Sequence, residues 1–482
     1  MTSLKNLPLE STGVPALDLI LGGGLPSQSV TLVAGEPGSG KTIFTLQLLF
    51  AAARAGKKSL YFTTLSEPAV KVIRYMQTFD FFDAKLLDEQ IKFVDLGTAL
   101  RKGAEATLAE LTARIEEHEP VFVAIDSFRS VAELVGEPGV ARPFVYDLAN
   151  TMAGWGATTL LVGEYAQSEH SEFAEFAIAD GIIRLGSQRQ QLTSVRELEV
   201  LKLRGAGYVS GVHFFDIDRG GIRAYPRVRV SDVTRKAVSL AERAAFGVAG
   251  LDELLDGGAP RGSSTVVQGG TGTGKTLLGL NFLIEGARRK ERGVLFTHEE
   301  TPEQLRAIGG ALGLDIAGLE QEGLLQLHYT SPVELSTDRF LNDAQQLIHD
   351  FGARRAVFDS LTTMALGVPS ERRFKELVYS ITKQMRASDV TVLLTMEAEQ
   401  LLGSANLSGL GVSFIADNLI QLRYFEIDGR LERAISVIKA RGVKHESGLR
   451  RASVGQGGLQ VSREGFKDLR GVLSGLPEQR TA

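Results

Sequence analysis

Gly35-Glu36-Pro37-Gly38-Ser39-Gly40-Lys41-Thr42 and Gly269-Gly270-Thr271-Gly272-Thr273-Gly274-Lys275-Thr276 are two copies of one pattern, G-x-x-x-x-G-K-[ST], in a chain of 482 residues. Glycines let successive backbone N–H groups turn inward, and this pattern is the loop that wraps the phosphates of a nucleotide. In this reading Lys41 and Lys275 neutralise the β- and γ-phosphates, while Thr42 and Thr276 offer hydroxyls to Mg2+. The flanks agree. Ser29–Ala34 is a β-branched run entering the first loop; behind it Ile43, Leu46, Leu49, Phe50 and Ala53 recur at helical spacing up to Gly56. Ser264–Gln268 precedes the second loop, and an apolar helix over Leu277–Ala287 follows it. Strand, Gly-rich loop and helix aim a helix N-terminus at an anion, a context that a chance Gly-rich turn does not reproduce twice.

The repeat extends well beyond the loops. Leu17, Asp18 and Pro26 in the segment 11–26 correspond to Leu251, Asp252 and Pro260 in 245–260, at the same 234-residue offset as Lys41 and Lys275. Self-similarity of this length means a duplicated domain. Further strands are expected in pairs: Ser59–Thr64 with Gly293–Thr297, Ile91–Leu96 with Leu324–Tyr329, Pro120–Asp126 with Ala356–Asp359, and Thr158–Glu164 with Thr391–Glu397. Each copy then closes with a hairpin ending in Lys202-Leu203-Arg204-Gly205 or Lys439-Ala440-Arg441-Gly442, the second turning at Asp428-Gly429. Near-continuous apolar strands alternating with helices predict an α/β fold, a mainly parallel sheet flanked by helices in each copy. The expected domains are 1–235 and 236–482, with a polar linker around Val228–Ala245 and, beyond Gly465, a short helix-like segment and a polar tail.

Bulk composition narrows the class. Hydrophobic residues at 43% and charged residues at 23% are ordinary for a globular protein. There is no cysteine, so thiolate metal sites, disulfides and cysteine nucleophiles are excluded. The N-terminal MTSLKNLPLE lacks the basic and apolar regions of a signal peptide, and no apolar run reaches the ~18 residues of a membrane span. A cytoplasmic protein without a membrane partner is expected. The net charge of −5 supplies no basic field for wrapping nucleic acid.

Three further groups carry chemistry. Asp126 and Asp359 each end an apolar strand and precede a serine (Ser127, Ser360), the place from which Mg2+ is held beside such a loop; the alternative is a strand-end acid capping the next helix. Glu299-Glu300 follow the strand GVLFTH, where a carboxylate can polarise water or a hydroxyl for attack on the γ-phosphate; alone, such a pair before Thr-Pro starts a solvated helix. The first copy has Thr64-Leu65-Ser66-Glu67-Pro68 here. With the prolines aligned, Leu65 and Ser66 replace the two carboxylates and Glu67 is displaced by one. The first site then hydrolyses slowly, uses Glu67, or mainly binds nucleotide. Lys202/Arg204 and Lys439/Arg441, at i and i+2 of a strand, present two cations together. They pair with carboxylates of the same chain or reach the γ-phosphate of an adjacent subunit.

With the duplicated lead-in, both loops, the aspartate strands, Glu299-Glu300 and the two K-x-R-G endings, the chain resembles the KaiC family of clock ATPases over nearly its whole length. The resemblance implies two tandem RecA-like P-loop NTPase domains, a double-ring homohexamer, and ATP with Mg2+ at subunit interfaces. It also implies that Lys202/Arg204 and Lys439/Arg441 act in trans, that the first ring is chiefly the ATPase, and that the second phosphorylates itself. Three departures stand out. The first carboxylate pair is altered. The family's adjacent Ser-Thr acceptors, four and three residues before the aspartate corresponding to Asp417, fall on Ser413 and Phe414, so single-site phosphorylation on Ser413 is expected, with Ser408 a further candidate acceptor. The tail after Gly475 is short, so no KaiA dependence is expected, while a KaiB-like partner on the first ring fits. Two rivals are a RecA- or DnaB-like DNA-dependent motor, which the acidic balance disfavours, and a nucleotide-gated scaffold with little hydrolysis, which Leu65-Ser66 favour.

Overall fold

The computed structural model describes residues 7–64, 68–134, 145–148, 150–152, 154, 156–166, 173–190, 193–227, 238–332, 337–368, 370–398, 415–427, 430–466, 469–470 and 478–479. The chain divides into two compact units, Met1–Arg227 and Val228–Ala482.

In the first unit β1 (Val30–Gly35) leads through the Gly-rich loop into α1 (Lys41–Arg54), followed by β2 (Ser59–Thr63), α2 (Ala69–Met76), β3 (Ile91–Asp95), β4 (Phe122–Asp126) and β5 (Thr158–Glu164). The long hairpin β6 (Gly181–Gln190) and β7 (Thr193–Leu203) and the short one β8 (Val212–Asp218) and β9 (Gly221–Tyr225) complete a nine-stranded sheet ordered β9-β8-β7-β6-β1-β5-β4-β2-β3. Strands from β6 to β3 in that order run parallel, and the two hairpins extend the edge antiparallel. All six residues of β1 are buried, as the centre of a sheet covered on both faces requires. Alternate residues feed opposite cores: Val33 joins Leu46, Leu49 and Phe50 of α1, whereas Leu32 and Ala34 join Leu111, Ile115 and Val131 on the other face.

The second unit repeats this arrangement. Its strands are β10 (Ser264–Gly269), β11 (Gly293–Thr297), β12 (Leu325–Tyr329), β13 (Arg355–Asp359), β14 (Thr391–Glu397), β15 (Asn418–Ile427), β16 (Arg430–Ala440), β17 (Arg450–Gly455) and β18 (Gly458–Gly465). They form the order β12-β11-β13-β14-β10-β15-β16-β17-β18. Helix α3 (Lys275–Arg288) follows the second loop, and α4 (Pro302–Ala311) starts at Thr301 with a capping box closed by Gln304. The two faces are packed by separate clusters, one around Phe282 and Leu295, the other around Phe296 and Phe358. Both sheets bring β1 or β10 between the strand ending in Glu164 or Glu397 and the long hairpin, so loop, aspartate and hairpin meet at the C-terminal edge of the parallel strands.

Three sequence expectations change. The edge hairpins β8–β9 and β17–β18 follow the K-x-R-G endings, where no strand was expected; β17 and β18 are largely exposed, so they carry no continuous apolar run. The expected linker through Ala245 contains a strand, Ser239–Ala244, paired with Ala259–Arg261. Beyond Gly465 the described residues Leu469–Arg470 and Glu478–Gln479 pair as short strands and are not helical. The Asp428-Gly429 turn lies outside the described residues.

Candidate functional site

The first Gly-rich loop folds back on itself before its helix begins. Gly40 caps α1 at φ 99°, a left-handed conformation that suits glycine. At Gly35 a Cβ would stand 2.1 Å from the Leu185 carbonyl oxygen, so only glycine lets the loop pass this close to β6. Lys41 Nζ donates to the Glu36 carbonyl at 2.9 Å and lies 3.9 Å from Glu164. Burial lowers the Lys41 pKa, with the charges of Glu164 and Asp126 opposing the shift. Thr42 donates to Asp126 Oδ2 at 2.8 Å, so the helix-start hydroxyl and the strand-end acid meet. These groups line a cleft of about 990 Å3 that also includes Arg129, Ser130 and Arg196. Such a volume suits a nucleotide-sized ligand.

In the second copy Gly274 caps α3 at φ 106° and Lys275 Nζ donates to the Gly270 carbonyl at 2.9 Å. Burial again lowers the lysine pKa, countered first by Glu397. Thr271 donates to Glu397, and Thr395 donates to Asp359 Oδ1. Asp359 is 4% exposed and its Oδ2 has no hydrogen-bond partner. Its pKa is raised, chiefly by burial, although the hydroxyls of Thr395 and Thr276 pull the other way. Both aspartates precede their serines through cis peptide bonds.

Glu299 and Glu300 are treated differently by their surroundings. Glu299 Oε1 accepts from Ser360 Oγ at 2.8 Å and from Thr363. Glu300 is turned inward: its Oε2 is buried without a partner, and burial, then the charges of Asp359 and Glu299, push its pKa up. A buried carboxylate oxygen left without a donor is costly, and a cation beside it removes that cost. Two such oxygens, on Asp359 and Glu300, therefore fit a divalent ion near the Thr276 end of the loop. Just before the pair, His298 is 2% exposed and donates its Nδ1–H to the Thr330 carbonyl; burial lowers its pKa, although that hydrogen bond pulls the other way.

The cation pairs sit on bulged strand ends, with register shifts between Ile182 and Ile183 and between Leu419 and Ile420 in their partner strands. Lys202 donates to the Ala177 carbonyl at 3.1 Å and Lys439 to the Ala416 carbonyl at 2.7 Å. Arg204 approaches Asp180 to 3.6 Å. Both lysine pKa values are lowered, first by burial and then by the neighbouring Arg204 or Arg441, so each pair does place two cations together.

Glu67, with Leu65 and Ser66, lies outside the described residues, as do Ser408, Ser413 and Phe414. Asp417, four residues beyond Ser413, is described: it accepts from Ser264 N and Oγ, both at 2.9 Å, and from Arg386.

Sequence reasoning missed several contributors. Arg196 Nη1 donates to the Gly38 carbonyl at 3.1 Å, and Arg433 Nε to the Gly272 carbonyl at 3.2 Å with its guanidinium 5.3 Å over Tyr424. These arginines stand the same distance before Lys202 and Lys439, a signal that aligning the hairpins would have exposed. Tyr61, Thr395 and the hydroxyls of Ser360 and Thr363 were also passed over, because their partners lie on other elements.

Two duplicated phosphate loops, each with a strand-end aspartate beside it on a RecA-like sheet, define a tandem P-loop ATPase. The family model described as "ATPase: KaiC" matches residues 10–229 and again 244–465. The circadian clock oscillator protein KaiC of Picosynechococcus sp. is 30% identical over 98% of this chain and 93% of its own length. Those of Thermostichus vulcanus and Synechococcus elongatus are each 30% identical over 98% of this chain and 92% of theirs. The chain belongs to the KaiC family.

Proposed function

We propose that this protein is a Mg2+-dependent ATPase that assembles as a double-ring homohexamer, phosphorylates itself on Ser413 from its second site, and signals through its conformation to a protein partner. The observation that carries the reading is the second site, where Glu299, aligned by Ser360 and Thr363, stands with Lys275 and Asp359 at one loop. The backbone N–H groups of Gly269–Thr276 and the Lys275 ammonium would hold the phosphates; Thr276 and Asp359 would hold Mg2+, which would supply positive charge to offset that of the phosphates. Glu299 accepts the proton of the attacking water or hydroxyl, and Glu300 lines the buried side of the site, where burial favours its neutral form. In the first site Lys41, Thr42 and Asp126 repeat the binding half of this set, and Glu67 is its candidate carboxylate.

Trans action of Lys202/Arg204 and Lys439/Arg441 and a KaiB-like partner on the first ring belong to the same reading. A membrane partner and nucleic-acid binding do not. A cytoplasmic location fits a chain among whose described residues no helix is long and apolar enough to cross a membrane.

The test uses γ-labelled ATP with wild type, Lys41→Ala and Lys275→Ala, counting free phosphate and protein-bound label together. Label that maps to Ser413 and disappears in Lys275→Ala is the expected result. Phosphate release without bound label removes the autokinase half and leaves an ATPase switch; neither signal overturns the enzyme reading.

A further inference from the structure

Asp126 and Asp359 stand at corresponding strand ends, yet their carboxylates are held from opposite flanks. Tyr61 donates its hydroxyl to Asp126 Oδ2 at 2.6 Å, the oxygen that also accepts from Thr42. Tyr61 lies on β2, one neighbour of β4. In the second domain the corresponding support comes from Thr395 on β14, the other neighbour of β13. The exchange is reciprocal. Leu295 occupies the place of Tyr61, and Val162 occupies the place of Thr395, both buried and neither able to donate.

The packing beneath has adjusted to match. Tyr61 faces Ala124 across the strands, whereas Leu295 faces Val357, so the larger ring has the smaller partner. The ring is fully buried and lies 4.8 Å from Phe93, which fixes where its hydroxyl points. Core packing alone asks only for an aromatic ring here, and phenylalanine would serve. A hydroxyl gained on one flank where the other flank has lost one indicates that the aspartate needs a donor.

We propose that Tyr61 is a positioning residue of the first metal site, fixing the Asp126 carboxylate for the water shell of a divalent cation as Thr395 fixes Asp359. This rests on the nucleotide-binding reading given above. Hydrogen bonds to an ionised oxygen are the strong ones, so losing the phenol frees the carboxylate to rotate without emptying the loop.

The experiment uses the full chain carrying Lys275→Ala, so that only the first loop is intact, and a ribose-labelled fluorescent ADP as probe. Mg2+ is titrated against probe affinity. Tyr61→Phe is expected to raise the half-saturating Mg2+ by about tenfold and to leave affinity in EDTA unchanged. Adding Val162→Thr to Tyr61→Phe supplies a donor from the other flank and is expected to recover most of that shift. Unchanged Mg2+ dependence in Tyr61→Phe, equal weakening with and without Mg2+, or no recovery by Val162→Thr each overturns the positioning role. No Mg2+-dependent binding in the parent overturns the nucleotide reading of this loop and the proposal with it.

Discussion

Ser360 donates its hydroxyl to Glu299 Oε1 at 2.8 Å, and Thr363, one helical turn on, donates to the same oxygen. The neighbouring Glu300 has no donor on its buried Oε2. Adjacent carboxylates thus have different tasks: one is oriented, the other is held where burial favours its neutral form. Glu299→Gln in a Lys41→Ala background is expected to lower second-site phosphate release by about 100-fold or more, the range of general-base losses. Ser360→Ala is expected to lower it about tenfold, through misorientation of Glu299 and loss of the helix cap that holds Thr363, with little change in KM. Equal rates for Glu299→Gln and its parent would remove the carboxylate from the mechanism.

Asp252 predicts a pH effect on stability. It accepts N–H bonds from Phe246 at 2.7 Å, Gly247 at 3.1 Å and Val248 at 3.2 Å, yet burial outweighs them and pushes its pKa up to about 6. A carboxyl raised in the folded state favours folding while it is protonated, below its unfolded value of 3.8, and that contribution is lost as pH rises through about 6. The wild type is therefore expected to lose up to about 3 kcal/mol relative to Asp252→Asn between pH 4 and pH 7, then level off. Paired denaturation curves of the two full chains at each pH read this directly; a pH-independent difference would refute it.

The parts of this structure visible in the sequence are those written in local pattern. Apolar runs such as Thr158–Glu164 and Thr391–Glu397 matched their strands end for end, because central parallel strands are buried on both faces. The phosphate loops were readable from their residue pattern and flanking strand and helix, and the aspartates from their place at the ends of apolar strands. Tyr61 was not, because its importance depends on which strand lies beside β4 and on the register that brings it level with Ala124. Glu299 was legible as a carboxylate, but its orientation by Ser360 and Thr363 depends on the chain between β13 and β14 folding back over the end of β11.

Phe358 tests how far the two domains' stabilities are separable. It is fully buried, stacks on Phe296 at 4.7 Å and meets Phe340 edge-on at 6.0 Å. Phe358→Ala is expected to cost about 3–5 kcal/mol, by lost burial and the cavity left behind. The same substitution adjoins Asp359, so second-site turnover is expected to fall as well. First-site nucleotide affinity, measured with fluorescent ADP, is expected to stay unchanged; a parallel loss there would show that the domains fold as one unit.

Arg441 is expected to act on a neighbouring subunit's nucleotide. Its backbone N–H is tied to the Asp417 carbonyl at 3.1 Å, and it lies beside Lys439, whose pKa it lowers. Two cations at one strand end repel, and an anion placed against them relieves that repulsion. Arg441→Ala and Glu299→Gln chains are each expected to be nearly inactive at the second site. If the arginine works in trans, mixed rings restore sites that take Glu299 from one subunit and Arg441 from the next, about a quarter of all sites under random assembly. If it works in cis, no intact site forms at any mixing ratio, and phosphate release stays at the level of the separate variants. Assembly must be checked in the same samples by light scattering, since only co-assembled chains bear on the result.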